Sequence, residues 1–252
     1  MDGEDIGLNG ILPPEIFFMK NLKDLELEYF NIDDRLRGDL SGVIPDSIGE
    51  SSNLRALDLQ KQEITGNIPD SLYDTTLREI DLDKNKLTGT ISEKIGNLKN
   101  LIFFTASDNN FDKQELPASI GNIENLQYFG LNNANLEGPV PASFGNLAGM
   151  ISLDLSDNKL EGDITFVEPY KNLQTLALDN NKFTGEIPAA IWSMNLFVLN
   201  LQDNKFEGRL PSTIPDLKNI RSKSQIPYCE GGISYCTRTL KTNTSSFKIK
   251  QH

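Results

Sequence analysis

The sequence predicts an α/β-type solenoid, a stack of coils that each contribute one short strand to a parallel sheet. Three observations carry this. First, an LxxLxL pattern recurs, with its first apolar residue at Leu22, Leu54, Leu77, Leu101, Leu126, Met150, Leu173 and Leu196. The successive spacings are 32, 23, 24, 25, 24, 23 and 23 residues, a period found in repeat architectures. Second, most copies carry an Asn at a fixed offset, and most carry a Gly followed two residues later by Ile, Val or Leu, as in Asn181 and Gly185-Glu186-Ile187-Pro188. Third, one strand this short cannot bury its own leucines, whereas stacked copies can.

The copy Leu173–Asn195 justifies each piece. Leu176 and Leu178 lie two apart and share one face of a strand, while Thr175, Ala177 and Asp179 point the other way. Asn181 stands where the chain turns out of the strand, and its amide can serve backbone groups of its own turn and of the adjacent copy. Phe183 packs inward, Gly185 permits a tight backbone, Ile187-Pro188 sets an extended segment, and Ile191 closes the convex side.

The chain opens inside a unit, because Leu8–Pro13 matches Phe183–Pro188. Residues 1–21 therefore read as a partial repeat at an N-terminal edge. Solenoid ends expose core unless capped. The expectation is that a natural cap and targeting signal precede Met1; the alternative is that residues 1–21 form an improvised cap. Eight repeats fill residues 22–219. The first is about nine residues longer than the others and places a loop after Tyr29, either a binding insertion or a tolerated surface loop. Gln62 replaces the ladder Asn, Ser92 replaces a Pro, Asp112–Glu115 replaces the Gly region of the fourth repeat, and Ala134 leaves the fifth without a ladder amide. Residues 220–236 read as a C-terminal cap in which Cys229 and Cys236 form a disulfide, the alternative being two free thiols. Residues 237–252 are polar, carry Arg238, Lys241, Lys248 and Lys250 without an acid, and read as a flexible tail with one glycosylation sequon at Asn243.

Composition excludes several function classes. The 252 residues are 38% hydrophobic and 24% charged, with a formal charge of −12 and a pI near 4.6. So acidic a chain is a poor partner for nucleic acid or an anionic membrane. No apolar run approaches the length of a membrane span, so no membrane insertion is expected of these residues, and the acidic first residues lack the apolar core of a signal peptide. One histidine, His252, and two cysteines supply neither a zinc site nor a nucleophile with an orienting base. No metal, cofactor or catalytic residue is expected.

The pattern LxxLxLxxNxLxGxIPxxIGNLxN resembles the plant-type leucine-rich repeat. It is carried here by Leu153, Leu155, Asn158, Leu160, Gly162 and Ile164, and by Leu199, Leu201, Asn204, Phe206, Gly208, Leu210 and Pro211. That repeat is shared by receptor-like kinase and receptor-like protein ectodomains and by polygalacturonase-inhibiting proteins. The resemblance spans roughly residues 6–220. It implies a curved right-handed superhelix with a concave parallel sheet and convex 3-10 turns, and a secreted or cell-surface setting. It also implies non-enzymatic binding of a protein, peptide or glycan on the concave face. The family's cysteine-bearing N-terminal cap and its dense glycosylation are missing here. A secreted inhibitor of a cell-wall hydrolase, or a cytoplasmic interaction scaffold, are the alternative readings.

The residues between the leucines should face the concave side. They comprise twelve acids against five bases, Lys23, Arg55, Lys61, Arg78 and Lys84, none of which lies beyond the third repeat. Mid-strand positions carry the information, since they have no turn duty. There Phe103 and Tyr128 form an adjacent aromatic pair beside Glu79, Asp81 and Asp154, with Thr105 and Ser152 completing the candidate ligand-binding set and Gly130 leaving a shallow gap. Exposed aromatics ringed by polar groups have the composition of a binding hot spot; the competing reading is a cross-strand pair that serves stability alone.

Overall fold

The computed structural model describes residues 10–27 and 40–208. Residues 28–39, which hold the long loop of the first repeat, and residues 209–252, which hold Cys229, Cys236 and Asn243, lie outside the described residues. Eight three-residue strands form one parallel sheet: Asp24–Glu26, Ala56–Asp58, Glu79–Asp81, Phe103–Thr105, Tyr128–Gly130, Ser152–Asp154, Thr175–Ala177 and Val198–Asn200. They follow one another in chain order, each hydrogen-bonded to the strands of the preceding and following repeats. The register is constant, so equivalent repeat positions stand side by side; Asp81, Thr105, Gly130 and Asp154 make one such row. The opposite side is built of 3-10 turns, such as Glu93–Asn97 and Ala142–Asn146, one per coil. No α-helix occurs among the described residues.

The leucines are buried as the period requires: Leu173, Leu176 and Leu178 are at 0% exposure. Ridges of apolar side chains run down the stack, which is how each coil buries a face that it could not bury alone. The concave strands end where repeat position eight enters the left-handed region. Lys84, Asp108, Asn133, Asp157, Asn180 and Asp203 all have positive φ, which suits the Asn and Asp that dominate there and explains why these acids belong to the turn.

The asparagine ladder knits the coils together. Asn181 Oδ1 accepts the Leu160 N–H at 2.9 Å, and its Nδ2 donates to the carbonyls of Leu155 at 2.9 Å and Leu178 at 3.2 Å. Asn85, Asn109, Asn158 and Asn204 repeat this arrangement. Gln62 keeps it despite its extra methylene, accepting from Leu40 at 3.3 Å and donating to the Leu27 carbonyl at 2.8 Å.

One feature goes beyond the sequence reading. The segments between the ladder position and the glycine pair into further parallel sheets along the flank. Gly10–Ile11, Leu40–Val43, Glu63–Gly66 and Lys86–Leu87 form one, and Glu137–Pro139, Lys159–Gly162 and Lys182–Phe183 form another. The two are separated at the fourth repeat, whose Asp112–Glu115 replaces the glycine segment and leaves only an isolated bridge from Gln114 to Leu136.

Candidate functional site

The aromatic pair sits on the fourth and fifth of the eight concave strands. Phe103 and Tyr128 are in direct register, with ring centroids 5.9 Å apart and planes tilted by 40°. Phe103 is half-buried and Tyr128 is 37% exposed, so the pair presents apolar surface to solvent while its rings also touch. The same two strands carry Phe104 and Phe129 on the core side, 5.7 Å apart and stacked, where other repeats have Leu or Ile. Phe129 in turn meets Phe144 edge-on at 5.8 Å. The exposed aromatics therefore stand on an aromatic floor, which holds the strands that carry them.

The other residues of the predicted set fall around this pair. Glu79 is beside Phe103 and exposed; Ser152 is beside Tyr128 and half-buried. One position along, Asp81 and Asp154 are half-buried, and each turns Oδ1 back onto an N–H two residues on: that of Asp83 at 3.0 Å and that of Ser156 at 3.0 Å. Thr105 differs from expectation. It is only 9% exposed, and its hydroxyl donates to Asp83 Oδ1, so it lies under the surface. The shallow gap expected at Gly130 is closed by the same residue. A Cβ built on Gly130 would come within 3.3 Å of Thr105 Cβ and 3.4 Å of Ser107 Oγ, so the missing side chain is the space into which Thr105 and Ser107 settle.

A further row lies where the strands give way to the turns. Residues at repeat position seven face the same side and are partly buried. Asp83 also accepts the Ser107 N–H at 2.6 Å, and burial raises its pKa above the usual carboxylate value, against the lowering effect of Thr105 and Ser107. Further along the row, Asp179 Oδ1 and Gln202 Oε1, with Asn200 Oδ1 at position five beside them, are shielded from solvent and have no donor among the described residues. Asp179 has its pKa raised by burial first, and then by the neighbouring charges of Asp157, Asp154 and Asp203. The concave sheet thus runs from the aromatic pair into a row of mutually repelling carboxylates around Asp179. The alternation of the strand sequence signals position seven as concave-facing, but partial burial depends on the neighbouring coils and could not be read from one repeat.

Comparison with known proteins agrees with this architecture. The leucine-rich repeat family profile matches residues 76–98, 172–194 and 195–217. No curated protein sequence matches the chain. Among solved structures, the chain is similar to a TDR receptor, with 28% identity over 87% of this chain and 37% of that one and a TM-score of 0.77. It is also similar to the leucine-rich repeat ectodomain of the Arabidopsis receptor kinase HAESA in complex with an N-terminally extended IDA peptide hormone. There the identity is 30% over 84% of this chain and 35% of that one, with a TM-score of 0.74. A plant ice-binding protein shares the fold at 22% identity, covering 90% of this chain and 81% of its own, with a TM-score of 0.66. The chain spans about a quarter to two fifths of the length of the receptor structures that it matches. The constant register, the amide ladder, the flanking sheets and these likenesses together make the chain a leucine-rich repeat protein of the plant type.

Proposed function

We propose that the chain is a non-enzymatic recognition module, receptor-like and extracellular, that binds an extended peptide across the concave sheet. The observation that carries this is the solvent-facing Phe103–Tyr128 pair at the middle of that sheet, with Tyr128 37% exposed. Buried alone, such a pair would be worth about 0.2–1 kcal/mol as a cross-strand contact. Left open to water it is an anchor for an apolar side chain, and such anchors dominate binding energy. The carboxylates beyond it set the polarity of the ligand. Asp154, Asp157, Asp179 and Asp203 lie close enough to one another for their charges to interact, and this negative field favours lysine or arginine a few residues from the apolar anchor. The HAESA ectodomain, which is similar over most of this chain, is solved with a peptide hormone, which supports the same class of ligand and an extracellular setting.

The test is a display library of short linear peptides selected on the intact chain. Selected sequences are expected to combine one aromatic or branched apolar residue with a basic one. Tyr128→Ala and Phe103→Ala should each weaken a selected peptide by about tenfold or more, equivalent to roughly 1.4 kcal/mol. A change below about 0.5 kcal/mol in both would place the site elsewhere.

A further inference from the structure

Beside Ala134, where the asparagine ladder lapses, a groove is lined by Asn109, Asn110, Phe111, Asn133, Asp157 and Lys159. We infer that this groove is a subsite for one neutral saccharide ring.

The ladder logic shows what is missing. At each regular coil the amide accepts the N–H of the residue two places beyond the preceding ladder position, as Asn109 does for Leu87 and Asn158 for Leu136. An amide at position 134 would accept from Phe111. Ala134 has none to offer, and the Phe111 N–H meets no acceptor among the described residues, although Phe111 is only 3% exposed. The neighbours compensate in part. Asn135 Nδ2 donates to the Phe111 carbonyl at 3.3 Å, and Asn158 Oδ1 accepts from Ala134 as well as Leu136, at 3.1 and 2.9 Å. The backbone differs here too: besides the positive φ that Asn133 shares with position eight of the other coils, Asn135 has a positive φ of its own. The gap coincides with the break between the two flanking sheets, so no strand crosses it.

The resulting groove has a volume of about 340 Å³, at the lower end of small-ligand sites. Phe111 and Asn109 form its buried floor; Asn110, Asn133, Asp157 and Lys159 form exposed walls. Each wall feature points to a polyhydroxyl ligand. Amides offer both a donor and an acceptor, which is what a sugar hydroxyl needs on its two sides. Asn133 commits Nδ2 to Asp108 at 2.9 Å, and Asp157 commits Oδ1 to Asn180 at 2.7 Å. Lys159 reaches Asn135 Oδ1 at 2.9 Å with one of its three protons. The charges oppose one another, so an anion would meet Asp157 and a cation Lys159, whereas a neutral ring meets no repulsion. Phe111 supplies the apolar part of the floor, which suits the apolar face of a sugar ring.

The experiment is a titration of the intact, isotope-labelled chain with xylose, glucose, galactose and mannose, following amide resonances. At least one sugar is expected to shift the Phe111 and Asn133 amides saturably. Ala134→Asn restores the ladder amide, gives Phe111 its acceptor and draws the surrounding backbone into the regular arrangement, so it should abolish that shift while raising the melting temperature. Asn110→Ala, a surface change that leaves the ladder intact, should weaken binding by about tenfold, the effect of one hydrogen bond. Tyr128→Ala should leave the shift unchanged, which separates this site from the peptide reading. The inference is overturned if none of the four sugars moves the Phe111 amide, if the shift survives Ala134→Asn, or if both groove variants bind as the parent does.

Discussion

At the scale of a residue, one amide can hold three backbone groups. Asn181, 9% exposed, satisfies the Leu160 N–H and the Leu155 carbonyl of the coil before it and the Leu178 carbonyl of its own turn. Asn181→Ala strands these groups away from water, and the cost should be about 1–3 kcal/mol, read from chemical denaturation. A loss within 0.3 kcal/mol would mean that water replaces the amide. Asp83 gives a pH-dependent test. Its folded pKa is raised by burial, so the native state holds the proton more tightly than the unfolded chain. Stability linked to Asp83 is therefore present at low pH and is lost as pH rises through the folded value. Asp83→Asn can still accept from Thr105 and Ser107 and carries no charge. It should raise the melting temperature at pH 7, and the gain should shrink as pH falls toward the ordinary carboxylate value of 3.8. A gain that grows on acidification would contradict the assignment. Asn181 was legible in the sequence from its offset. The Asp83 network was not, because its partners lie a full coil away.

At the scale of an element, the coil is set by close approaches as much as by hydrophobic spacing. The convex 3-10 turn Ala118–Asn122 packs on Ala142–Asn146, and a Cβ on Gly121 would fall 2.3 Å from the Ser143 carbonyl oxygen. Gly121→Ala must push the two turns apart and should destabilise by about 1–3 kcal/mol in thermal or denaturant melts, with retained stability showing that the turns can slide. The strands themselves follow from alternation: Leu176 between Thr175 and Ala177 needs only period two and a neighbour. The flanking sheets needed more. Glu137-Gly138-Pro139 has no strand-like composition, yet it pairs with Lys159–Glu161 because stacking brings identical extended segments side by side. The same stacking decided the fate of Thr105, which composition places on the surface and Gly130 allows to sink below it.

At the scale of the whole molecule, each coil touches chiefly its neighbours, so stability sums along the stack and long-range charge acts on it as a whole. The net charge of −12 opposes compaction through self-repulsion, and the screening length falls from about 30 Å at 0.01 M salt to about 8 Å at 0.15 M. The melting temperature should rise over that range of sodium chloride; a flat or falling trend would show that local ion pairs, such as Lys113–Glu137 at 2.8 Å, outweigh the global term. The sequence by itself determined the period, the strand positions, the ladder, and the placing of Phe103 beside Tyr128, because repetition converts a fixed spacing into a fixed neighbour. Tertiary structure alone decided which concave residues remain exposed, where the flanking sheets break, and that the Phe111 N–H loses its acceptor. These depend on what the adjacent coil offers at each level of the stack, and no single repeat contains that information.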